Sequence, residues 1–167
     1  IVIVMFVLIK KFSNKTYTFP EITHGKGTHN PFNTVENVIN ELKNVEHHYV
    51  KYSEERLKYM KLIPLGGGNW RDLDESVAQK AMGGAYKSGG GKTGYFRRIK
   101  ANEPSPTLLT SPIQKSTNIG HPYEDRPLSI EEYVAIQGFP KGYKINGTIN
   151  DQYTQIGNAV PVKVEKI

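Results

Sequence analysis

The stretch RPLSIEEY, residues Arg126–Tyr133, is the starting point for interpreting this chain of 167 residues. Ser129 and Glu132 form a Ser-x-x-Glu pattern, in which each side chain accepts a backbone N–H at the start of a helix. Gly138 and Pro140 follow, and glycine with a nearby proline is typical of a helix end. The stretch therefore predicts a short helix that begins after Ser129 and ends at Gly138.

Three other helices are predicted outside this stretch. Closer to the C-terminus the sequence QIGNAVP, residues Gln155–Pro161, is interpreted as a tight turn that enters a helix continuing to Ile167. Thr34 is a favoured N-cap residue, and the apolar residues after it keep helical spacing through about Lys43. Ser53 begins a further helix, with two glutamates in its positive first turn. We expect the two upstream helices to be packing elements.

The apolar run Ile1–Ile9 has a different pattern. It is continuous rather than alternating and rich in β-branched residues, which is typical of a strand buried on both faces of a sheet. The sequence contains no second run of this kind. We favour a strand of a sheet whose other strands lie outside this sequence, and the alternative is a small sheet of the chain's own.

Between Pro64 and Thr93 the sequence is rich in glycine and in basic residues. Glycine allows the backbone to approach a ligand closely, and basic loops interleaved with aromatic residues suit phosphate and sugar contacts. No cluster matches the phosphate-binding loop of ATPases. Flexible, solvated loops are an equally open interpretation. The glycine clusters are Gly66–Gly68, Gly83–Gly84 and Gly89–Gly91, and the basic residues are Arg71, Lys80, Lys87 and Lys92, followed by Arg97 and Arg98.

Composition narrows the classes of function. Lysine and arginine number 22 against 16 acidic residues, a net charge of +6 that favours polyanionic partners such as nucleic acid. The sequence has no cysteine, which excludes disulfides, thiolate zinc sites and a cysteine nucleophile within it. The apolar run at the N-terminus is far shorter than the roughly 20 residues that cross a bilayer. We expect a cytoplasmic protein with no membrane partner.

A search for catalytic and metal-binding constellations assigns neither. The only adjacent pair of histidines is His47-His48, and the other histidines are isolated in loops. We expect all of them to be surface residues, so no catalytic or metal-ligating residue is predicted.

The C-terminal motifs carry a family resemblance. Arg126–Tyr133 with Ile136–Pro140, followed by Gln155–Pro161, resembles the last two sequence motifs of DNA (cytosine-5)-methyltransferases. Pro104–Leu108 is similar to the segment with a Thr-Leu pair in that family's target recognition domain. Two further segments resemble recognition-domain sequence of some bacterial members, and the N-terminal run resembles the strand before that domain. These two segments are Gly67–Asp72 and Thr93–Arg98.

The resemblance implies an α+β fold. Residues 19–150, including the motif at 126–140, would form a small, irregular, β-rich recognition domain with short helices. Residues 1–18 would supply one strand, and residues 151–167 a C-terminal helix, to an α/β (Rossmann-like) methyltransferase sheet domain.

The resemblance also implies a reaction. In this family a cysteine thiolate attacks carbon 6 of a flipped-out cytosine, and carbon 5 then takes a methyl group from S-adenosylmethionine. The nucleophile motif and the cofactor loop are absent from this sequence, and it has no cysteine. We therefore expect the DNA-recognition portion of a restriction-modification methyltransferase, inactive alone. Its expected partners are double-stranded DNA and a catalytic subunit or N-terminal half that holds most of the cofactor.

Residue roles follow from the matched motifs. Thr107 matches a threonine that contacts the DNA backbone at the flipped nucleotide. The predicted DNA-binding residues are Thr107, Leu108, Arg97, Arg98, Lys92 and Arg71. The predicted cofactor-lining residues are Asn158 and Ala159, and the structural motif residues are Arg126, Glu132, Gln137, Gly138, Gln155 and Gly157.

Two other functions remain open from the sequence. One is a stand-alone or remnant sequence-specific DNA-binding module without catalytic activity. The other is a basic RNA-binding or structural protein, which would leave both C-terminal motifs as coincidence.

Overall fold

The computed structural model of the chain describes residues 23–160. The strand predicted for Ile1–Ile9 and the helix predicted to continue to Ile167 lie wholly or largely outside these residues. Five α-helices occur in this part of the chain: α1 Val35–Glu41, α2 Glu54–Met60, α3 Glu75–Met82, α4 Ile130–Gln137 and α5 Ile149–Asn158. The 3-10 helices Trp70–Asp72 and Gly83–Lys87 flank α3. No helix within residues 23–160 is long and apolar enough to cross a membrane.

The expectation of a β-rich recognition domain is wrong. Residues 23–160 contain no β-strand and are about 35% helical. Pairing between extended segments is limited there to isolated bridges, Gly94 with Thr117 and Gly120 with Arg98 and Pro127. The physical reason is that this stretch, rich in proline and glycine, satisfies its backbone groups through turns and buried side chains rather than through ladders.

The three helices predicted from cap residues begin where the sequence places them. α1 follows Thr34 and α2 follows Ser53, whose hydroxyl accepts the N–H of Arg56. α4 begins at the capping box of Ser129 and Glu132. It ends at Gly138, whose φ of 81° is the left-handed conformation that favours glycine.

Two helices differ from the prediction. α3 lies inside the stretch that the glycine clusters predict to be loops. α5 contains Gln155–Asn158 as its last turn, so the prediction of a turn entering a helix is wrong. A capping box of Thr148 and Asp151 begins α5 and is readable from the sequence.

The buried apolar residues form two clusters on either side of the segment 94–99. The larger cluster lies beneath α1, α4 and α5 and includes Ile99, Leu108 and the edge-to-face pair Tyr133–Tyr153, whose ring centroids are 4.8 Å apart. The smaller cluster lies between α2 and α3 and includes Phe96. The segment that carries Arg97 and Arg98 is thus fixed in the core on both sides.

Candidate functional site

The end of α5 packs directly against the segment that carries Thr107. A Cβ atom on Gly157 would lie 2.6 Å from the backbone nitrogen of Thr110 and 2.6 Å from the carbonyl carbon of Leu109. Only glycine allows this approach. Leu108 is buried in the larger cluster, whereas Thr107 is exposed. Thr107, the predicted DNA contact, therefore lies on a surface segment whose position is fixed by the buried Leu108 and by the end of α5.

Gln137 connects the two C-terminal motifs. Its buried side-chain amide donates to the carbonyl of Ile156 at 3.2 Å and to the carbonyl of Ala159. These carbonyls lie at the C-terminal end of α5, where intrahelical donors run out. The last residue of α4 thereby fixes the position of the α5 terminus.

A buried ion-pair network lies at the start of α4. Arg126 donates to both carboxylate oxygens of Glu132 at 2.9 Å and also binds Glu124. The same Glu132 accepts the N–H of Ser129 at 2.7 Å, completing the capping box. Burial alone would raise the pKa of Glu132, but His121 and Arg126 lower that pKa to about 2. Glu132 therefore acts as an ionised anchor for the turn before α4.

His121 is part of this network, so the expectation that it is a surface residue is wrong. Its ring is 1% exposed, and Nδ1 accepts the backbone N–H groups of Tyr123 and Glu124 at 3.1 and 2.9 Å. Since Nδ1 accepts, the ring proton is on Nε2, which lies 3.4 Å from a Glu132 oxygen. His47 is half-buried and lies 2.8 Å from the Ser129 hydroxyl, whereas His48 is exposed.

Arg98 lines the same depression as Arg97 but is buried, so its guanidinium is not on the exposed DNA-binding surface expected for it. Its guanidinium donates to four backbone carbonyls at 2.6–3.2 Å and to the carboxylate of Asp125. The four carbonyls belong to Met60, Ile63, His121 and Glu124. At 1% exposure, the side chain closes loops and offers no donor to a ligand.

Arg97 occupies a different environment from its neighbour. It is half-buried, and its Nε donates to the carbonyl of Asn118 at 3.1 Å. The arginine–carboxylate ion pairs among residues 23–160 involve Arg98 and Arg126, and Arg97 has none. Burial lowers the pKa of the Arg97 guanidinium, which is the effect of desolvating a cation.

Arg97 lines an open groove of about 350 Å³. The groove also includes residues from three segments that the sequence associates with DNA: Gly67 and Asn69, Thr93, and Pro104 and Pro106. Lys100 and Glu103 line it as well and form an ion pair with each other at 2.7 Å. Pro106 immediately precedes the exposed Thr107. Arg97 and the threonine segment thus border one surface depression.

Lys92 and Arg71 gather around the single tryptophan, Trp70. The Arg71 guanidinium lies 4.8 Å and the Lys92 ammonium 5.6 Å from the centre of its ring. Lys92 also donates to the carbonyl of Tyr86 at 2.8 Å. A cation that stacks on an aromatic ring keeps its charge but loses side-chain conformational freedom. Such preorganised cations suit an anion-binding surface.

The predicted cofactor-lining residues lie at the end of α5. Asn158 is exposed, and its side-chain amide makes no hydrogen bond to another residue in the range 23–160. The Ala159 carbonyl is taken by Gln137. An exposed amide can donate a hydrogen bond to a polar group of a ligand and accept one from it. Gln155 is exposed and donates to the carbonyl of Asn146 at 2.8 Å.

One important residue, Asn118, has no signal in the sequence. Asn118 is fully buried and binds both Arg97 and Arg56. Each contact joins residues more than twenty positions apart, so only the fold brings them together.

In the part of the chain that the structure describes, no group of three or more histidine or acidic side chains could hold a metal ion.

Comparison with known proteins adds an independent result. The family profile described as C-5 cytosine-specific DNA methylase matches residues 4–167. The chain is 51% identical over 115 residues to the Type II methyltransferase M.Sau96I of Staphylococcus aureus, an alignment covering 69% of this chain and 26% of that protein. It is 44% identical over 114 residues to the Type II methyltransferase M.Eco47II of Escherichia coli, covering 68% and 27% respectively.

A plant protein matches over a shorter region. Identity to the DNA (cytosine-5)-methyltransferase CMT2 of Arabidopsis thaliana is 45% over 71 residues, covering 42% of this chain and 6% of that protein. The chain spans about a quarter of the length of the two bacterial relatives.

Proposed function

Because this chain belongs to the C-5 cytosine-specific DNA methylase family, we propose that it is the DNA-recognition portion of a DNA (cytosine-5)-methyltransferase. A catalytic part outside this sequence supplies the cysteine nucleophile, since the sequence has none. That part also binds most of the S-adenosylmethionine, which supplies the methyl group. The Type II relatives favour a cytoplasmic restriction-modification role.

The observation that carries this proposal is the groove beside Thr107. It contains Arg97, a half-buried cation with no carboxylate within ion-pair distance among residues 23–160. Such a cation is costly unless an anion joins it in the functional complex. A phosphate of double-stranded DNA is the anion that the family's substrate offers.

The other assigned residues have supporting roles in this proposal. Thr107 positions the DNA backbone with its exposed hydroxyl, and Leu108 anchors its segment in the core. Arg71 and Lys92 extend the positive surface around Trp70. Asn158 offers its amide to the cofactor, while Gln137 and Gly157 hold the end of α5 beside the DNA-binding segment.

DNA binding by the chain is the direct test. We expect the chain to bind duplex DNA with an affinity that falls as salt rises, because each neutralised phosphate releases roughly one counterion. Arg97→Gln should reduce the slope of log affinity against log salt by about 1. Lys43→Gln is the matched control, since Lys43 is exposed and lies outside the groove. Absence of duplex binding at low salt would overturn the proposal.

Reconstitution separates a methyltransferase portion from a stand-alone DNA-binding module. Addition of a catalytic polypeptide of the same system should give methyl transfer to carbon 5 of cytosine, and neither chain alone should do so. Methyl transfer by this chain alone would contradict the division of roles. A stable complex that leaves every DNA unmethylated would favour the module without catalysis.

A further inference from the structure

A cavity lies between α2 and α3, and the sequence analysis predicts no site there. It has a volume of about 170 Å³. Its charged lining residues are Glu55, Arg56 and Lys115, which leave one positive charge in excess. The lining also includes Ser53 and three aromatic side chains, Tyr59, Tyr95 and Phe96.

Arg56 is a half-buried cation with an unusual set of partners. Its terminal nitrogens donate to the carbonyls of Ile113 and, at 3.4 Å, Gln114, and at 2.9 Å to the side-chain oxygen of Asn118. No carboxylate lies within ion-pair distance of it in the described part of the chain. Its Nε is buried and has no hydrogen-bond partner among residues 23–160. A buried N–H without an acceptor is rare in native proteins and calls for a physical explanation.

Two aromatic rings partly offset the free-energy cost of desolvating this charge. The Arg56 guanidinium carbon lies 5.3 Å from the ring centre of Tyr52 and 5.8 Å from that of Phe96. The ring faces are electron-rich and attract the cation. The rings provide no conventional hydrogen-bond acceptor for Nε. They therefore fix the position of the guanidinium but leave its Nε–H without a partner among residues 23–160.

Phe96 has a strained backbone at the wall of the cavity. Its φ is +43°, which is rare for an aromatic residue. Backbone outliers of this kind persist where the surrounding structure enforces them, and they concentrate at functional sites. The ring of Phe96 packs edge-to-face on Tyr59 with centroids 5.7 Å apart. This arrangement holds the cavity wall in place.

Asn118 joins the cavity to the groove described above. Its side-chain oxygen accepts from Arg56, and its backbone carbonyl accepts from Arg97 at 3.1 Å. Its amide nitrogen donates to the carbonyl of Arg97 at 2.8 Å. Asn118, which is fully buried, therefore contacts both half-buried arginines that lack a carboxylate, the Arg56 guanidinium through its side chain and the Arg97 guanidinium through its backbone carbonyl.

We propose that the cavity is a second phosphate-binding site, in which the Nε–H of Arg56 and the ammonium of Lys115 bind a phosphodiester oxygen of DNA. The inference rests on the proposed function, because it takes duplex DNA as the polyanion bound in the neighbouring groove. It extends the DNA-contacting surface from Arg97 across Asn118 to the α2–α3 side of the protein. Glu55, in the same lining, limits the net charge and so disfavours a dianion relative to a singly charged phosphodiester.

The test measures duplex affinity against salt for Lys115→Gln and Arg56→Gln, with Lys43→Gln as control and a short random-sequence duplex as probe. We expect each cavity variant to reduce the slope of log affinity against log salt by about 1. Lys115 makes no hydrogen bond within residues 23–160, so its replacement keeps the test independent of folding. The thermal midpoint of Arg56→Gln shows whether that variant is folded.

The outcomes distinguish this inference from the proposed function. If the natural chain binds duplex DNA and Arg97→Gln weakens binding, but Lys115→Gln binds like the control, the second site is absent. If the natural chain binds no DNA, the proposed function itself fails. A shift of the thermal midpoint by inorganic phosphate that Lys115→Gln abolishes, without any change in DNA affinity, would identify a free-phosphate site and overturn the assignment to DNA.

Discussion

Two regions of this protein use arginine in opposite ways. In the region before α4, Arg98 and Arg126 are buried against carboxylates. In the region around Asn118, Arg56 and Arg97 are half-buried and bind only carbonyl and amide groups. Each arginine of the first pair has a carboxylate partner, whereas neither arginine of the second pair has one among residues 23–160.

The pKa values of the guanidinium groups differ in the same sense. Burial opposes the charge of Arg126, but its hydrogen bonds with Glu132 and Glu124 raise its pKa. Burial lowers the pKa of Arg56 and of Arg97, with no carboxylate to offset it. The comparison shows that arginines close in sequence occupy different environments. The paired ones hold loops together, whereas the unpaired ones are those that the proposed function assigns to an external anion.

Arg98→Gln should have the largest effect on stability. The substitution leaves four carbonyls and Asp125 without their donor, and removing one partner of a buried pair costs about 3 kcal/mol or more. Arg97→Gln should cost less than about 1 kcal/mol, since it removes one hydrogen bond. Urea unfolding followed by Trp70 fluorescence measures both. Equal losses for the two variants would erase the distinction between the regions.

Acid should weaken the paired region next. Because the pKa of Glu132 is lowered from 4.5 to about 2 in the folded state, its contribution is fully present above pH 4.5. That contribution is lost as the pH falls toward 2, and it amounts to about 3 kcal/mol.

The measurement is the free energy of unfolding between pH 5 and pH 2. Glu132→Gln should be less stable at the upper end and should show a flatter pH profile. Glu41→Gln, at an exposed site, serves as the control for nonspecific charge effects. An unchanged profile in Glu132→Gln would mean that another carboxylate governs acid sensitivity.

Gly157→Ala tests the contact between α5 and the threonine segment. Alanine would favour the helix, but its Cβ would lie 2.6 Å from the backbone of that segment, so we expect a net loss of about 2 kcal/mol. Gly84→Ala is the matched control, because a Cβ there meets no atom within 4 Å. Chemical shifts of the Leu109 and Thr110 amides should move in the Gly157 variant alone. Unmoved amides would show that the packing is looser than described.

The sequence predicts the local features of this fold and misses the distant ones. The capping box of Ser129 and Glu132 is readable because both partners lie within three residues and need only a helix start to meet. Arg98 could not be placed, since its acceptors lie up to 38 residues away and only the packed loops assemble them. It shares a Tyr-Phe-Arg-Arg segment with Arg97, so residue type alone gives both the same expectation.

The error in fold class has a related cause. Family resemblance implies strands, but within residues 23–160 the proline- and glycine-rich segments pair only at isolated bridges. α5, in contrast, was predictable. Its capping box of Thr148 and Asp151 and the apolar spacing of Ile149, Tyr153 and Ile156 are local signals. The motif QIGNAVP directed the interpretation toward a turn at its C-terminal end instead.

Arg97→Lys should have the smallest effect, and its comparison with Arg98→Lys separates the contribution of charge from that of geometry. Lysine keeps the charge but not the planar fork of donors. Arg97→Lys should therefore retain the salt dependence of DNA binding and lose at most about 1 kcal/mol of stability. Arg98→Lys should not restore stability, because one ammonium with three donors cannot serve four carbonyls and Asp125. If Arg98→Lys were as stable as the natural chain and Arg97→Lys bound no DNA, the comparison would be reversed. Charge would then suffice at position 98, and the planar guanidinium would be required at position 97.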